Sequence, residues 1–201
     1  AQSHRVPRSV YRLARSITSR IGRRVAKDWQ PLSAAGTLRT VANLDEVDPA
    51  TGTWFVLVRN RYMLQRMARW LEGLGRAYTQ DGRAVTDRDS IQAVLVYERL
   101  RRGLSCTERE ARNLIKFMRR TAFTAPPERV DAVTWQDFQM PFTGTPTWLE
   151  ICGHYLVLPE RDDLLVRRMR LRGESMVKAP RIKLSTIHGV KGAEADHVLL
   201  C

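Results

Sequence analysis

The chain has 201 residues, 34 Lys+Arg against 21 Asp+Glu for a formal net charge of +13, and 43% hydrophobic residues. That apolar share suffices for the core of one domain and argues against global disorder. The longest uncharged apolar runs, such as Trp54–Val58, are far short of the ~20 residues that span a bilayer, so no membrane segment is expected. The surplus of positive charge asks for an anionic partner, nucleic acid first and an anionic membrane surface second. Cys106, Cys152 and Cys201 are scattered and show no Cys/His ligand spacing. No metal site or disulfide scaffold is expected, and a reducing, cytoplasmic setting fits. No leader-like apolar stretch opens the chain.

Residues 1–27 hold eight basic and no acidic side chains. Val10, Leu13, Ala14, Ile17 and Ile21 repeat at helical spacing, so a basic amphipathic helix is predicted, with Pro7 in its first turn. Thr37–Val41 reads as strand-like and Asp45–Pro49 as a turn. The apolar run Thr53–Val58 predicts a buried strand ending in Arg59-Asn60-Arg61. Leu64, Met67, Ala68, Leu71 and Leu74 predict a helix closed by Gly75, and Tyr78 opens a short extended segment. Strand, helix, strand is an α/β signature. Ile91, Val94 and Leu95 mark a helix stopped by Gly103. Thr107 and Glu110 form a capping box for the next, which carries Ala111, Leu114, Ile115 and Met118. Residues 121–148 read as loop, about 160–172 as an arginine-rich helix, Ile182–Thr186 as a strand, Ile187–Asp196 as a glycine-containing loop and His197–Cys201 as a second strand. This last apolar run, with a first residue other than Met, suggests a piece of a longer protein.

The stretch Thr186-Ile187-His188-Gly189-Val190-Lys191-Gly192-Ala193-Glu194, between two apolar runs, is the most informative. A loop after a parallel strand is where α/β folds bind ligands. Thr186 offers a hydroxyl, His188 an imidazole for a phosphate or a base, Gly192 close backbone approach and Glu194 an acceptor for a sugar hydroxyl. A lone His188 would by default be a packing residue; the spacing of the whole set argues otherwise. The set closely resembles the T-[IL]-H-x-x-K-G-x-E motif in the second RecA-like domain of UvrD/Rep-like superfamily 1 helicases. Thr186, His188, Lys191, Gly192 and Glu194 match it. Ala193 and Ala195 stand where that family usually has Leu and Phe, at packing positions. Ser3-His4-Arg5-Val6-Pro7 resembles the family's [NS]-Y-R-x-P segment, with His4 in place of Tyr. Val56–Arg61 resembles the apolar strand ending in R-T-N, with Arg59 matching and the next two positions shifted or substituted.

The resemblance implies a RecA-like parallel sheet flanked by helices, formed by residues 1–85 and 175–201, with a small, mainly helical insertion at 86–174. It implies a role for Arg5 at the ATP γ-phosphate, nucleotide contacts from Gly192 and Glu194, and single-stranded DNA contacts from Arg59, Asn60, Thr186, His188 and Lys191. The 201 residues contain no G-x-x-x-x-G-K-[ST] phosphate loop, and Leu44-Asp45-Glu46-Val47 falls after the Arg5 segment, whereas the family's acidic Mg²⁺-binding pair precedes it. ATP and Mg²⁺ would therefore be held mainly by a preceding RecA-like domain, and this chain alone is expected not to hydrolyse ATP. The expected function is the second motor domain of a 3′→5′ DNA helicase. The alternative is a helicase-like nucleic-acid-binding domain or subunit without catalysis; an upstream phosphate loop, intact or degenerate, discriminates the two.

Overall fold

The computed structural model describes residues 6–25, 29–119 and 155–201. The chain divides into two compact units, Ala1–Asp48 and Pro49–Cys201. Arg5, the predicted loop at 121–148 and Cys152 lie outside the described residues.

In the first unit, helix α1 spans Arg8–Thr18. Its first-turn amides would lack intrahelical partners; those of Arg8 and Ser9 donate to the carbonyls of Ala34 and Ala35 at 3.1 and 3.0 Å. The returning chain passes so close that a Cβ on Gly36 would lie 2.4 Å from Cβ of Pro7. The helix ends before Ile21, earlier than the apolar spacing suggests. Ser16, Thr18 and Ser19 each turn a hydroxyl back to the carbonyl three residues earlier, a competing bond that weakens helix continuation. Thr37–Val41, read as strand-like, is not in a strand: β-branched residues alone do not make one without a partner to pair with. Leu44–Glu46 is a 3₁₀ turn. The Glu46 carboxylate accepts from the amides of Asn43 and Ala42 and from Arg39, which together hold its pKa below the usual range.

The second unit is an α/β domain, as a RecA-like reading requires. Its five strands are β1 Trp54–Val58, β2 Tyr78–Gln80, β3 Arg83–Ala84, β4 Ile182–Thr186 and β5 His197–Leu200. They lie in the order β3-β2-β4-β1-β5, all neighbours parallel except β2 and β3. Parallel register places Val56, Val58, Ile182, Leu184, Leu199 and Tyr78 on one face, and all six are buried. Helix α2 (Leu64–Gly73) buries Leu64, Met67, Ala68 and Leu71, and the Tyr78 hydroxyl reaches its Glu72, so α2 covers that face. On the other face Val198 and Leu200 are 57% and 64% exposed.

Helices α3 (Asp89–Arg101), α4 (Glu108–Lys116) and α5 (Glu160–Leu171) lie between β3 and β4 in the chain. Helix α5 packs on α2 and α3, and α4 on α3. Gly75, at φ +64°, ends α2 against α5: a Cβ there would lie 2.6 and 2.7 Å from the carbonyl carbon and oxygen of Arg168. The predicted capping box is formed. Glu110 N donates to Thr107 Oγ1, and Thr107 N donates back to Glu110 Oε2 at 2.8 Å. A bridge between Met118 and Leu156 brings together the chain on either side of residues 120–154.

Behind the sheet lies a buried polar cluster. Glu72 is 4% exposed. It accepts from Tyr78 Oη at 2.8 Å, Arg88 Nη2 at 2.7 Å, and Arg161 Nε and Nη2 at 2.6 and 2.9 Å. Arg88 also donates to Asp162 at 2.6 Å, and Asp162 accepts from Ser90. Burial pushes the Glu72 pKa up, but the bonds from Arg161, Tyr78 and Arg88 outweigh it and hold the carboxyl below its ordinary value. Glu72→Gln is expected to lower unfolding free energy by about 2 kcal/mol, because it leaves the half-exposed Arg161 without its carboxylate and Arg88 with Asp162 alone; urea denaturation at neutral pH measures it.

Glu110 titrates differently from a surface acid. A 2.6 Å bond from Arg99, then the Thr107 amide, hold its pKa down to about 2 from an ordinary 4.5. A carboxyl with a lowered folded pKa stabilises above its unfolded pKa and loses that contribution as pH falls through the folded one. Wild-type stability should therefore contain a component that decays between about pH 4.5 and 2, and Glu110→Gln should lack it in denaturation curves taken across that range.

Candidate functional site

Strand β1 leads through α2 to β2, which lies beyond β4; β4 leads through residues 187–196 to β5, which lies beyond β1. The two connections leave adjacent strands in opposite directions. Right-handed crossovers in opposite directions occupy opposite faces of a sheet, so α2 covers one face and residues 187–196 turn over the other. Gly189 fits this path: a Cβ there would lie 2.4 Å from Oγ of Ser185, which points to the face opposite α2. Between two such connections a parallel sheet opens its binding crevice, at the carboxyl ends of the strands.

Five of the sequence-predicted residues meet there. Val58 and Thr186 are register partners at the ends of β1 and β4. Arg59 and Asn60 therefore emerge beside Ile187 and His188; Arg59, Asn60 and His188 are exposed and Thr186 is half-buried. Asn60 precedes a 3₁₀ turn, Arg61–Met63, that runs into α2. Thr186 precedes another, Ile187–Val190. Lys191 follows, exposed. Gly192, at φ +82° with open space where a Cβ would project, and exposed Glu194 lie on the descending part of the same connection. The structure thus brings Arg59, Asn60, Thr186, His188 and Lys191 to one edge, with Gly192 and Glu194 on the loop leaving it.

The exposed cations at this edge differ from the buried and half-buried arginines that the carboxylates of the unit hold. Arg76, Arg88, Arg99, Arg161, Arg167 and Arg170 are each bonded to a carboxylate, Arg170 to Glu98. Arg59, Arg61 and Lys191 have no carboxylate within ion-pair distance among the described residues. A cation free of an internal acid keeps its charge for an external anion.

The loop is anchored at its far end. Asp196 Oδ2 accepts from the Thr53 amide at 2.8 Å and the Thr53 hydroxyl at 2.7 Å, and the Asp196 amide donates to that hydroxyl. Those bonds, amide first, hold the Asp196 pKa below its ordinary value. Next to it His197 stacks on Trp54, centroids 4.5 Å apart and planes at 23°. Arg181 braces the turn before β1 by donating to the carbonyls of Gly52 and Ala50.

A separate groove of about 320 Å³ between α2 and α5 is lined by Arg69, Glu72, Glu160, Arg161, Leu164 and Arg168. Its deepest acid, Glu72, is already held by Arg161 and Arg88. Among the described residues no cluster of three or more His, Cys, Asp or Glu is placed to hold a metal ion, and no helix is long and apolar enough to cross a membrane. No family model, curated protein or solved structure matches the chain.

Sequence reading missed three parts of this region. Tyr62, directly after Arg59-Asn60-Arg61, is off the apolar stripe of α2 and fully presented; its position in the sequence was the available signal. The Gly189–Ser185 approach depends on the turn that follows β4, which no residue type there announces, and the Asp196–Thr53 latch joins residues 143 apart in the chain. Gly189→Ala is expected to cost about 1 kcal/mol by overpacking against Ser185 Oγ, and adding Ser185→Ala should recover most of it. A double-mutant cycle by urea denaturation tests this; additive effects would refute the contact.

Proposed function

We propose that this chain is the second RecA-like motor domain of an ATP-dependent DNA helicase moving 3′→5′ on single-stranded DNA. One observation carries the reading. Arg59, Arg61 and Lys191, with no carboxylate partner among the described residues, stand with His188 at the switch point of a mostly parallel sheet, on segments that resemble two helicase motifs. On this reading Arg59 and Asn60 hold the DNA backbone from the β1 side, and Thr186, His188 and Lys191 hold it from the β4 side. Because the two sides belong to different connections, a strand lying across the edge bridges elements on both faces of the sheet.

The chain fits the smaller share of a nucleotide site. Glu194 is exposed as an acceptor for a sugar hydroxyl beside a left-handed Gly192 that leaves open space. No phosphate-cradling loop exists in the sequence, so the larger share, with Mg²⁺, falls to a preceding RecA-like domain, towards which Arg5 would supply positive charge. Bound ATP would supply the free energy that drives closure of the two domains. The absence of a phosphate loop here equally suits a binding subunit without hydrolysis, and the sequence upstream decides between them.

Fluorescence anisotropy with labelled single-stranded DNA at several salt concentrations tests the DNA contact. Each phosphate neutralised adds about 0.7 to the log–log slope, so three free cations give a slope near −2, from roughly three phosphates. Arg59→Ala or Lys191→Ala should each reduce it by about 0.7. Binding that is absent, or indifferent to salt, removes the reading.

A further inference from the structure

We propose that Tyr62 is a stacking platform for an unpaired nucleobase at the strand-end site, an inference that rests on the DNA-binding reading above. Tyr62 is 78% exposed. Every other aromatic side chain among the described residues is more than half covered: Tyr78 and Tyr97 lie in the core, Trp54 stacks on His197 and Tyr11 packs edge-on against Trp29. An exposed phenol face suits a partner with a flat π-surface.

Its setting selects that partner. The backbone under Tyr62 is fixed, since the Met63 amide donates to the Asn60 carbonyl at 3.1 Å and the 3₁₀ turn continues directly into α2. The buried stripe of α2, at Leu64, Met67, Ala68 and Leu71, faces the sheet, and Tyr62 is not part of it. The three residues before it, Arg59, Asn60 and Arg61, are exposed, and the neighbouring strand end presents His188. Free cations around a rigidly mounted aromatic are the pairing that single-stranded nucleic acid requires, charge for the phosphates and a π-face for the base. A protein partner of acidic character would use the arginines and leave the ring without a counterpart. The cations take hold of the backbone without regard to bases; Tyr62 makes the site respond to whether a base is present and unpaired.

The experiment compares a labelled oligothymidylate with an abasic oligomer of the same length and charge, by anisotropy at one low salt concentration. Wild type should bind the oligothymidylate more tightly. Tyr62→Ala should weaken oligothymidylate binding about tenfold, to the abasic level, with abasic binding, salt slope and thermal midpoint unchanged. Tyr62→Phe should behave as wild type. Equal weakening on both oligomers, or a retained preference in Tyr62→Ala, overturns the stacking role while leaving the DNA site in place. Failure of wild type to bind either oligomer overturns the DNA reading and this inference together.

Discussion

Glu72 accepts four hydrogen bonds from three side chains, and those side chains come from β2, the start of α3 and α5. One carboxylate in α2 therefore ties the sheet to helices that enter the chain some 16 and 89 residues later. With Asp162 and Arg88 it forms a group of two acids and two arginines whose charges cancel, which is the condition under which buried charge is tolerated. Apolar packing alone would let α2 rotate or slide over the sheet; directional bonds to a fixed carboxylate do not. The turn carrying Arg61 and Tyr62 is the start of that same helix, so the position of the candidate site depends on a bond network behind the sheet.

The cluster also determines where the positive charge is available. A surplus of +13 says nothing of location. In the second unit most buried or half-buried arginines are taken up by Glu72, Glu98, Glu110, Asp162, Asp163 and Glu174. Arg59, Arg61 and Lys191 at the strand ends have no such carboxylate partner among the described residues. A uniform basic surface would attract any polyanion weakly; free cations at the crevice of a parallel sheet favour a strand held in one place.

Local elements were legible in the sequence wherever one signal dominated. The run at 53–58, the apolar spacing closed by Gly75, and Thr107 with Glu110 each identify a strand, a helix or a cap from neighbouring residues, and each is present. Thr37–Val41 looked like a strand because its β-branched residues are visible locally while the missing partner is not. Strand order was not legible, since β2 lies beyond β4 and β5 beyond β1 across more than a hundred residues of chain. The Glu72 cluster was hidden for the same reason: in sequence, Arg88 and Arg161 are two more arginines in a basic protein. The candidate site was readable through its motif and its position after a strand; the crevice that gathers Arg59 with His188 follows only from the order of strands.

The connection from β4 to β5 has a length that its end points do not require. From the level of Thr186 to that of His197 it descends four residues of strand and crosses two strand spacings, a distance of roughly 16 Å. Eleven residues of extended chain reach about 36 Å. More than half of that contour is surplus, and it is taken up in the 3₁₀ turn Ile187–Val190 and the left-handed Gly192. The Asp196–Thr53 latch fixes the lower end, and the 3₁₀ turn lies at the top, beside Arg59. The segment bearing His188 and Lys191 is thus a loop with a pinned foot, whose extra length is coiled at its crown rather than spread along the descent.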